Sequence, residues 1–334
     1  MSRSRARRVA LLLAVPILIG LAACAAPQTT FEPASDTTES IDGVYRFIFW
    51  LAGVVFVVIL GVVLAFSIIF RERPGREAKQ FHGNTRLEIV WTLIPVLIVV
   101  AIAVPTFKVI VDTTGDPPDG SLIIEATGQQ WWFEFEYPEF GFTTANEMHV
   151  PVGRSISVNL FSNDVIHSFW APQLFGKVDM VPGHGNNLFF TPNTARAEPY
   201  LGQCVEFCGT SHANMRFRVF VDTQEDFDVW VAAQQAEAAT DAAVAAGAEV
   251  FATSACIGCH TIQGVSAGVI GPNLSHIGAR STIAAGIMDN NEANLRRWIS
   301  DPDEAKPGAK MPAFEALLSE QQIGDLAAYL LSLK

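Results

Sequence analysis

Two long apolar runs constrain this chain more than any other feature. Residues 44–70 carry one charge, Arg46, and residues 89–107 carry none. Each run is close to the ~20 residues that cross a bilayer core as a helix. Buried helices of a soluble protein are the alternative, but the segment between the runs holds Arg71, Arg73, Arg76, Lys79 and Arg86. Basic loops stay on the cytoplasmic side of a membrane, so both ends of the hairpin face outward and everything after Lys108 lies outside the cytoplasm. The second run opens Leu87-Glu88-Ile89-Val90-Trp91-Thr92-Leu93-Ile94-Pro95. Glu88 has two readings there. It is an acid favoured at a helix N-terminus by the macrodipole, or a carboxylate at a proton entrance, because ionisable groups at membrane depth are costly and usually functional.

The N-terminus agrees with export. Arg3, Arg5, Arg7 and Arg8 precede an apolar stretch over residues 9–21, the pattern of a signal peptide. The sequence Leu21-Ala22-Ala23-Cys24 resembles the lipobox of bacterial lipoproteins, in which the cysteine carries lipid after cleavage. The alternative is an ordinary signal peptide with a chance cysteine. The lipoprotein reading makes 1–23 the signal peptide, Cys24 the lipid-bearing residue and 24–40 a polar spacer, followed by a transmembrane hairpin over 41–108. The chain has a formal net charge of −12, and a nucleic-acid binder needs a basic face instead. After Arg86 there are 12 Lys and Arg against 28 Asp and Glu. The acidity therefore sits on the exported side, where it suits encounter with a basic donor or simply solvates the surface.

From residue 109 to about 230 the pattern turns β-like. Short apolar runs such as 121–126 and 155–161 are separated by Gly, Pro, Asn and Asp, which suggests a sandwich or barrel of antiparallel sheets. One loop stands out: Gly202-Gln203-Cys204-Val205-Glu206-Phe207-Cys208-Gly209-Thr210-Ser211-His212-Ala213-Asn214-Met215. It offers two thiols, an imidazole and a thioether, and His167 adds a second imidazole at the end of a strand-like run. Soft sulfur ligands with imidazoles select copper. A mononuclear site needs one thiolate; two suit a pair of coppers bridged by both sulfurs. A Cys204–Cys208 disulfide is possible outside the cytoplasm but leaves Met215 and both histidines without a purpose. A zinc site has little use for a thioether.

The C-x-E-x-C-x-x-x-H-x-x-M loop, the upstream Asp164-Val165-Ile166-His167-Ser168 and the E-x-x-W-T-x-x-P span together resemble subunit II of cytochrome c oxidase over roughly residues 41–230. That resemblance implies a two-helix transmembrane hairpin and an all-β cupredoxin domain over 109–230. It implies binuclear CuA held by His167, Cys204, Cys208, His212, Met215 and the backbone carbonyl of Glu206. It also implies that the Glu206 carboxylate helps bind a magnesium or manganese ion shared with subunit I, and that Glu88 marks a proton-pathway entrance. In Gly128-Gln129-Gln130-Trp131-Trp132-Phe133 the family's aromatic run makes Trp131 the point where electrons arrive, with Trp132 and Phe133 read as packed core. The chain departs from the family in having Trp-Trp-Phe for Trp-aromatic-Trp, and His184 where arginine is common.

Residues 231–246 are Ala-rich and read as a linker. Beyond them Cys256-Ile257-Gly258-Cys259-His260 is a c-type heme attachment motif. A zinc half-site would need a second cysteine pair, and no cysteine follows Cys259. With Gly271-Pro272-Asn273-Leu274 and Lys310-Met311-Pro312, residues 247–334 resemble an all-α class I cytochrome c. The resemblance makes His260 the proximal ligand, with its imidazole bonded to the Pro272 carbonyl. It makes Met311, rather than Met288, the other axial ligand. Ser319 with Gln322 three residues on marks a capped amphipathic helix, expected to pack on a first helix near residues 246–253. His82, His149 and His276 fit no ligand pattern and read as surface or hydrogen-bonded structural histidines.

Together these readings describe a two-pass bacterial membrane protein with CuA and covalent heme c on the outer face. Its implied partners are oxidase subunits I and III and a donor such as a quinol-cytochrome c reductase or a cytochrome c. A free-standing membrane-anchored electron carrier is the alternative, but a simple anchor needs neither Glu88 nor the Trp91-Thr92-Pro95 pattern. A quinol oxidase subunit lacks the copper ligands, and the chain is too short for the catalytic domain of a nitrous oxide reductase. Of the five cysteines, one is assigned to lipid, two to copper and two to heme.

Overall fold

The computed structural model describes residues 28–75, 82–237 and 242–334. Residues 1–27, with the signal peptide and Cys24, lie outside the described residues, as do residues 76–81 of the basic loop and 238–241 of the linker. The chain divides into two units, residues 39–116 and the remainder.

The smaller unit is helical. Helix α1, Asp36–Ile69, and helix α2, Thr85–Thr114, are long and apolar enough to cross a membrane. Both extend beyond the apolar runs, because polar residues at a span's ends continue the helix into the interface. Asn84 caps α2, its side chain accepting from the Arg86 and Leu87 amides, and Glu88 follows in the first turn.

The larger unit begins with ten strands: β1 (Leu122–Gln129), β2 (Trp132–Tyr137), β3 (Phe142–Ala145), β4 (Glu147–Pro151), β5 (Ile156–Ser162), β6 (His167–Trp170), β7 (Val178–Met180), β8 (Asn186–Phe190), β9 (Tyr200–Cys204) and β10 (Arg216–Asp222). They form two five-stranded sheets, β3-β2-β1-β5-β8 and β4-β10-β9-β6-β7. Alternation along β1 buries Leu122, Ile124 and Ala126, as a half-buried strand requires. The sheets meet through rings: Phe169 stacks on Phe217 at 4.2 Å and sits edge-on to Phe133 at 5.5 Å. The sheets are mixed rather than purely antiparallel, since β1 pairs with β5 and β4 with β10 in parallel. Parallel neighbours need long crossovers, which the intervening strands supply.

Helix α3 (Gln224–Gln235) closes the sandwich, packing Phe227 and Val231 into its core. It runs past residue 230, into the stretch read as linker. The segment before residue 39 is also more than a spacer: Ala34, Ser35, Thr37 and Thr38 are buried, and Thr38 Oγ1 donates to the Gln173 carbonyl at 2.9 Å.

The C-terminal part is built on α4 (Ala245–Thr253), the one-turn α5 (Cys256–Cys259), α6 (Glu292–Ser300), the short α7 (Pro302–Ala305) and α8 (Glu320–Ser332). The capping box at Ser319 and Gln322 forms as expected. Helix α8 packs on α4, where Phe251 meets Tyr329 at 6.1 Å. Gly247 lets the backbones approach, since a Cβ there would overlap the Asp325 carbonyl.

Candidate metal centre and heme cavity

Strand pairing assembles the metal centre. β6 and β9 are neighbours, with Phe169 opposite Cys204, so His167 and Cys204 emerge at the same end of one sheet. The loop from Cys204 turns back through Gly209, at φ 113°, and a 3-10 turn at His212–Asn214. It closes with the Cys204 amide donating to the Met215 carbonyl at 2.9 Å. The sulfurs of Cys204 and Cys208 stand 3.7 Å apart, well beyond the ~2.05 Å of a disulfide. His167 Nδ1 lies 3.9 Å from Cys204 Sγ and His212 Nδ1 3.6 Å from Cys208 Sγ. Met215 Sδ is 3.9 Å from Cys208 Sγ, and the Glu206 carbonyl is 3.2 Å from Cys204 Sγ. The six predicted donors thus converge on two thiols, and this soft set fits a copper pair.

The electrostatics favour a metal. Hydrogen bonding with Cys208 holds the Cys204 thiol well below its usual range, and the same contact pushes Cys208 up. Burial opposes protonation of His167, but hydrogen bonds with Cys204 and Asp164 outweigh it and raise its pKa. Asp164 Oδ1 sits 2.8 Å from His167 Nε2, which leaves Nδ1 directed at the thiols. A carboxylate behind a ligand imidazole fixes its tautomer and orientation. The motif contained Asp164, but its role appears only when the loop is folded.

The second site is a cavity of about 250 Å³ lined by Cys256, Cys259, His260 and Met311, and also by Trp131 and Trp132 from the sandwich. His260 Nδ1 lies 2.8 Å from the Pro272 carbonyl. Burial lowers the His260 pKa, partly offset by that bond, so the imidazole is neutral and free to ligate. Gly271 leaves it room, because a Cβ there would fall 2.5 Å from His260 Cε1. These residues fit a covalent heme. Met288 lies in a short strand paired with Ile283 and does not line the cavity.

Trp131 connects the two sites. Its side chain lines the cavity, and its Nε1 donates to the Cys208 carbonyl at 2.9 Å, beside a parallel bond of 2.7 Å from Gln130 Nε2. Phe133 is core as expected, but Trp132 is only partly buried and faces the cavity. Placement on a strand end next to the cavity, rather than residue type, decides that difference.

Composition did not reveal how the cytochrome part seats on the sandwich. Glu147, 4% exposed, accepts four hydrogen bonds, from the amides and hydroxyls of Ser281 and Thr282 at 2.6–3.1 Å. Arg218 donates to Thr282 Oγ1 and Ser211 to the Pro307 carbonyl. Met148 and Val150 of β4 enter the sandwich core, so Glu147 stands on the outer face of that strand and is buried only by the cytochrome part; the strand pattern therefore carried no signal for it.

The remaining sequence-level candidates lie elsewhere. His149 is held by Asp222 at 2.8 Å between the rings of Phe220 and Trp230. His82 and His184 are exposed. His276 corrects its reading: it is buried at 5% exposure and neither ring nitrogen has a partner, because the seated domains enclose it.

Comparison with known proteins follows the same divisions. The family model for the transmembrane domain of cytochrome c oxidase subunit II matches residues 25–109, that for its periplasmic domain residues 141–221, and that for cytochrome c residues 244–334. Cytochrome c oxidase subunit 2 of Alkalihalophilus pseudofirmus is 39% identical, with 84% of this chain and 85% of the relative covered. The Bacillus subtilis protein of that name is 32% identical, with 98% of each covered. The crystal structure of the periplasmic domain of subunit II of cytochrome oxidase from Bradyrhizobium japonicum is 33% identical, covering 35% of this chain and 96% of that one, with a TM-score of 0.34. Kinship that runs through the apolar helices, the sandwich and the cytochrome c domain leaves one assignment: the chain belongs to the cytochrome c oxidase subunit II family, as a member carrying its own cytochrome c domain.

Proposed function

We propose that this chain receives electrons at a covalent heme c and passes them through binuclear CuA to the heme of subunit I, where dioxygen is reduced to water with proton pumping. The observation that carries this reading is Trp131, 8% exposed, which lines the heme cavity and also donates to the carbonyl of Cys208. Cys256 and Cys259 would hold the heme by thioethers, and His260 and Met311 would ligate its iron. His167, Cys204, Cys208, His212, Met215 and the Glu206 carbonyl would hold copper. When bound, the two groups supply one-electron centres.

The protein's own residues prepare the path. Asp164 fixes His167, Pro272 fixes His260, and Trp131 stands buried between the two sites. The Glu206 carboxylate would bind a magnesium or manganese ion at the contact with subunit I, and Glu88 would admit protons. The two spans and the basic segment between them support a bacterial cell-membrane location with both electron-carrying domains on the outer face; Cys24 would bear lipid, and subunits I and III would be the membrane neighbours. A quinol-cytochrome c reductase or a cytochrome c is the proposed donor.

A covalently joined donor has a high effective concentration at its acceptor. After photoreduction of the heme in the purified oxidase, heme reoxidation should match loss of the CuA near-infrared band, at a rate unchanged over tenfold dilution. A rate that scales with protein concentration overturns the reading.

A further inference from the structure

Lys306 is the residue least expected where it lies. It is 4% exposed, and lysines are almost never fully buried unless paired. No ion pair to Lys306 is found among the described residues. Instead Nζ donates to two main-chain carbonyls, Trp131 O at 2.5 Å in the sandwich and Ala284 O at 3.2 Å in the cytochrome domain.

Both acceptors are themselves constrained. Ala284 and Ala285 have φ of 55° and 63° and are followed by Gly286 at 78°, a left-handed run that non-glycine residues seldom adopt. The turn aims two carbonyls outward: Ala284 O at Lys306, and Ala285 O at the Arg216 amide, 3.2 Å away. Such backbone persists only where its surroundings over-determine it. The residues after Lys306 complete the grip. The Pro307 carbonyl accepts from Ser211 Oγ at 2.6 Å, and Gly308 makes room for the indole, since a Cβ there would lie 2.8 Å from Trp131 Cη2. Lys306-Pro307-Gly308 thus touches the main chain of Trp131, the neighbour of His212 and the ring of Trp131.

We propose that Lys306 is a positioning residue for electron transfer between heme and copper, holding the Trp131 main chain so that its indole stays between the heme cavity and the Cys208 carbonyl. This rests on the functional reading above. The step it serves is one electron, lost by ferrous heme iron and gained by the copper pair, with no bond formed and no proton moved at Lys306. Without the lysine, the fraction of molecules with Trp131 in register falls, and the transfer rate falls with it. While protonated, Lys306 on the cavity wall also favours the reduced form of the heme through Coulomb attraction.

The test is Lys306→Met in the complete, cofactor-loaded oxidase, an apolar replacement of similar length that strands no charge. Heme and copper absorption should be retained, the flash-initiated heme-to-copper rate should fall about tenfold, and the heme midpoint potential, measured at pH 6 where Lys306 carries its proton, should drop. Tenfold corresponds to about 1.4 kcal/mol, within the ~0.5–1.5 kcal/mol that one hydrogen bond contributes. A rate within twofold of wild type at an unchanged potential overturns the proposal. Should Lys306→Met lose either cofactor, Lys306→Arg decides: it keeps a cationic donor and should transfer within about threefold of wild type, and a rate tenfold or more below wild type with both cofactors bound overturns the proposal. The wild-type control separates the two levels. Absence of any heme-to-copper transfer in wild type sinks the functional reading itself, whereas fast transfer in wild type and variant alike sinks only the role of Lys306.

Discussion

Desolvation of one ammonium has a measurable consequence for folding. Burial pushes the Lys306 pKa down to about 7, against ~10.4 in an unfolded chain. Between those pH values the unfolded chain holds a proton that the native chain lacks, so stability rises with pH across that window. Below about 7 both states are protonated, and the native state bears the full cost of the buried charge. The difference in thermal stability between wild type and Lys306→Met should therefore shift toward wild type from pH 7 to pH 10, by up to about 1.4 kcal/mol per unit. A pH-independent difference would show that the ammonium is not desolvated. The neutral amine keeps two N–H donors, so its bonds to Trp131 and Ala284 survive the titration.

Among the elements, the β9–β10 pair controls the copper loop, because β9 ends at Cys204 and β10 starts one residue after Met215. Gly202 in β9 lies directly under Phe217 of β10, and a Cβ at Gly202 would overlap that ring. Phe217 cannot move aside, since it stacks on Phe169 and meets Phe133 edge-on at 5.1 Å. Gly202→Ala should cost about 1–3 kcal/mol through overpacking and reduce copper retention while leaving the heme attached. Calorimetry together with the two absorption signatures checks this, and an unchanged melting temperature would refute it. The loop motif and its ligands were legible in the sequence because each ligand type has a chemical preference. The requirement for glycine at 202 was not, because it arises from a neighbour fifteen positions away in the chain.

In the whole molecule, buried polar bonds join the cytochrome c domain to the sandwich, beside the packing of Gly308 on the Trp131 ring. Glu147 is the centre of that joint, receiving four donors on one carboxylate. Hydrogen bonds to a charged group contribute about 1.5–3 kcal/mol, and unpaired buried donors cost a similar amount. Glu147→Gln should weaken seating by roughly that range, seen as faster amide exchange at Ser281 and Thr282 and a slower heme-to-copper rate. Unaltered exchange there would mean that the joint does not depend on the carboxylate. The Ala-rich stretch suggested only a tether, and nothing in its composition says whether the tethered domain is seated or free.

Periodicity, charge and ligand chemistry were local enough to be read along the chain: two spans from apolar length, a copper loop from clustered soft donors, a heme from C-x-x-C-H. Those features depend on residues close in sequence and on preferences that hold in any fold. The joint between the domains does not. Glu147, Lys306 and Gly308 are ordinary residues until folding brings them against Ser281, Trp131 and Ala284, more than twenty residues away or in the other domain. Their roles come from desolvation and close contact, which depend on the surroundings of each atom and so emerge only when the chain is packed.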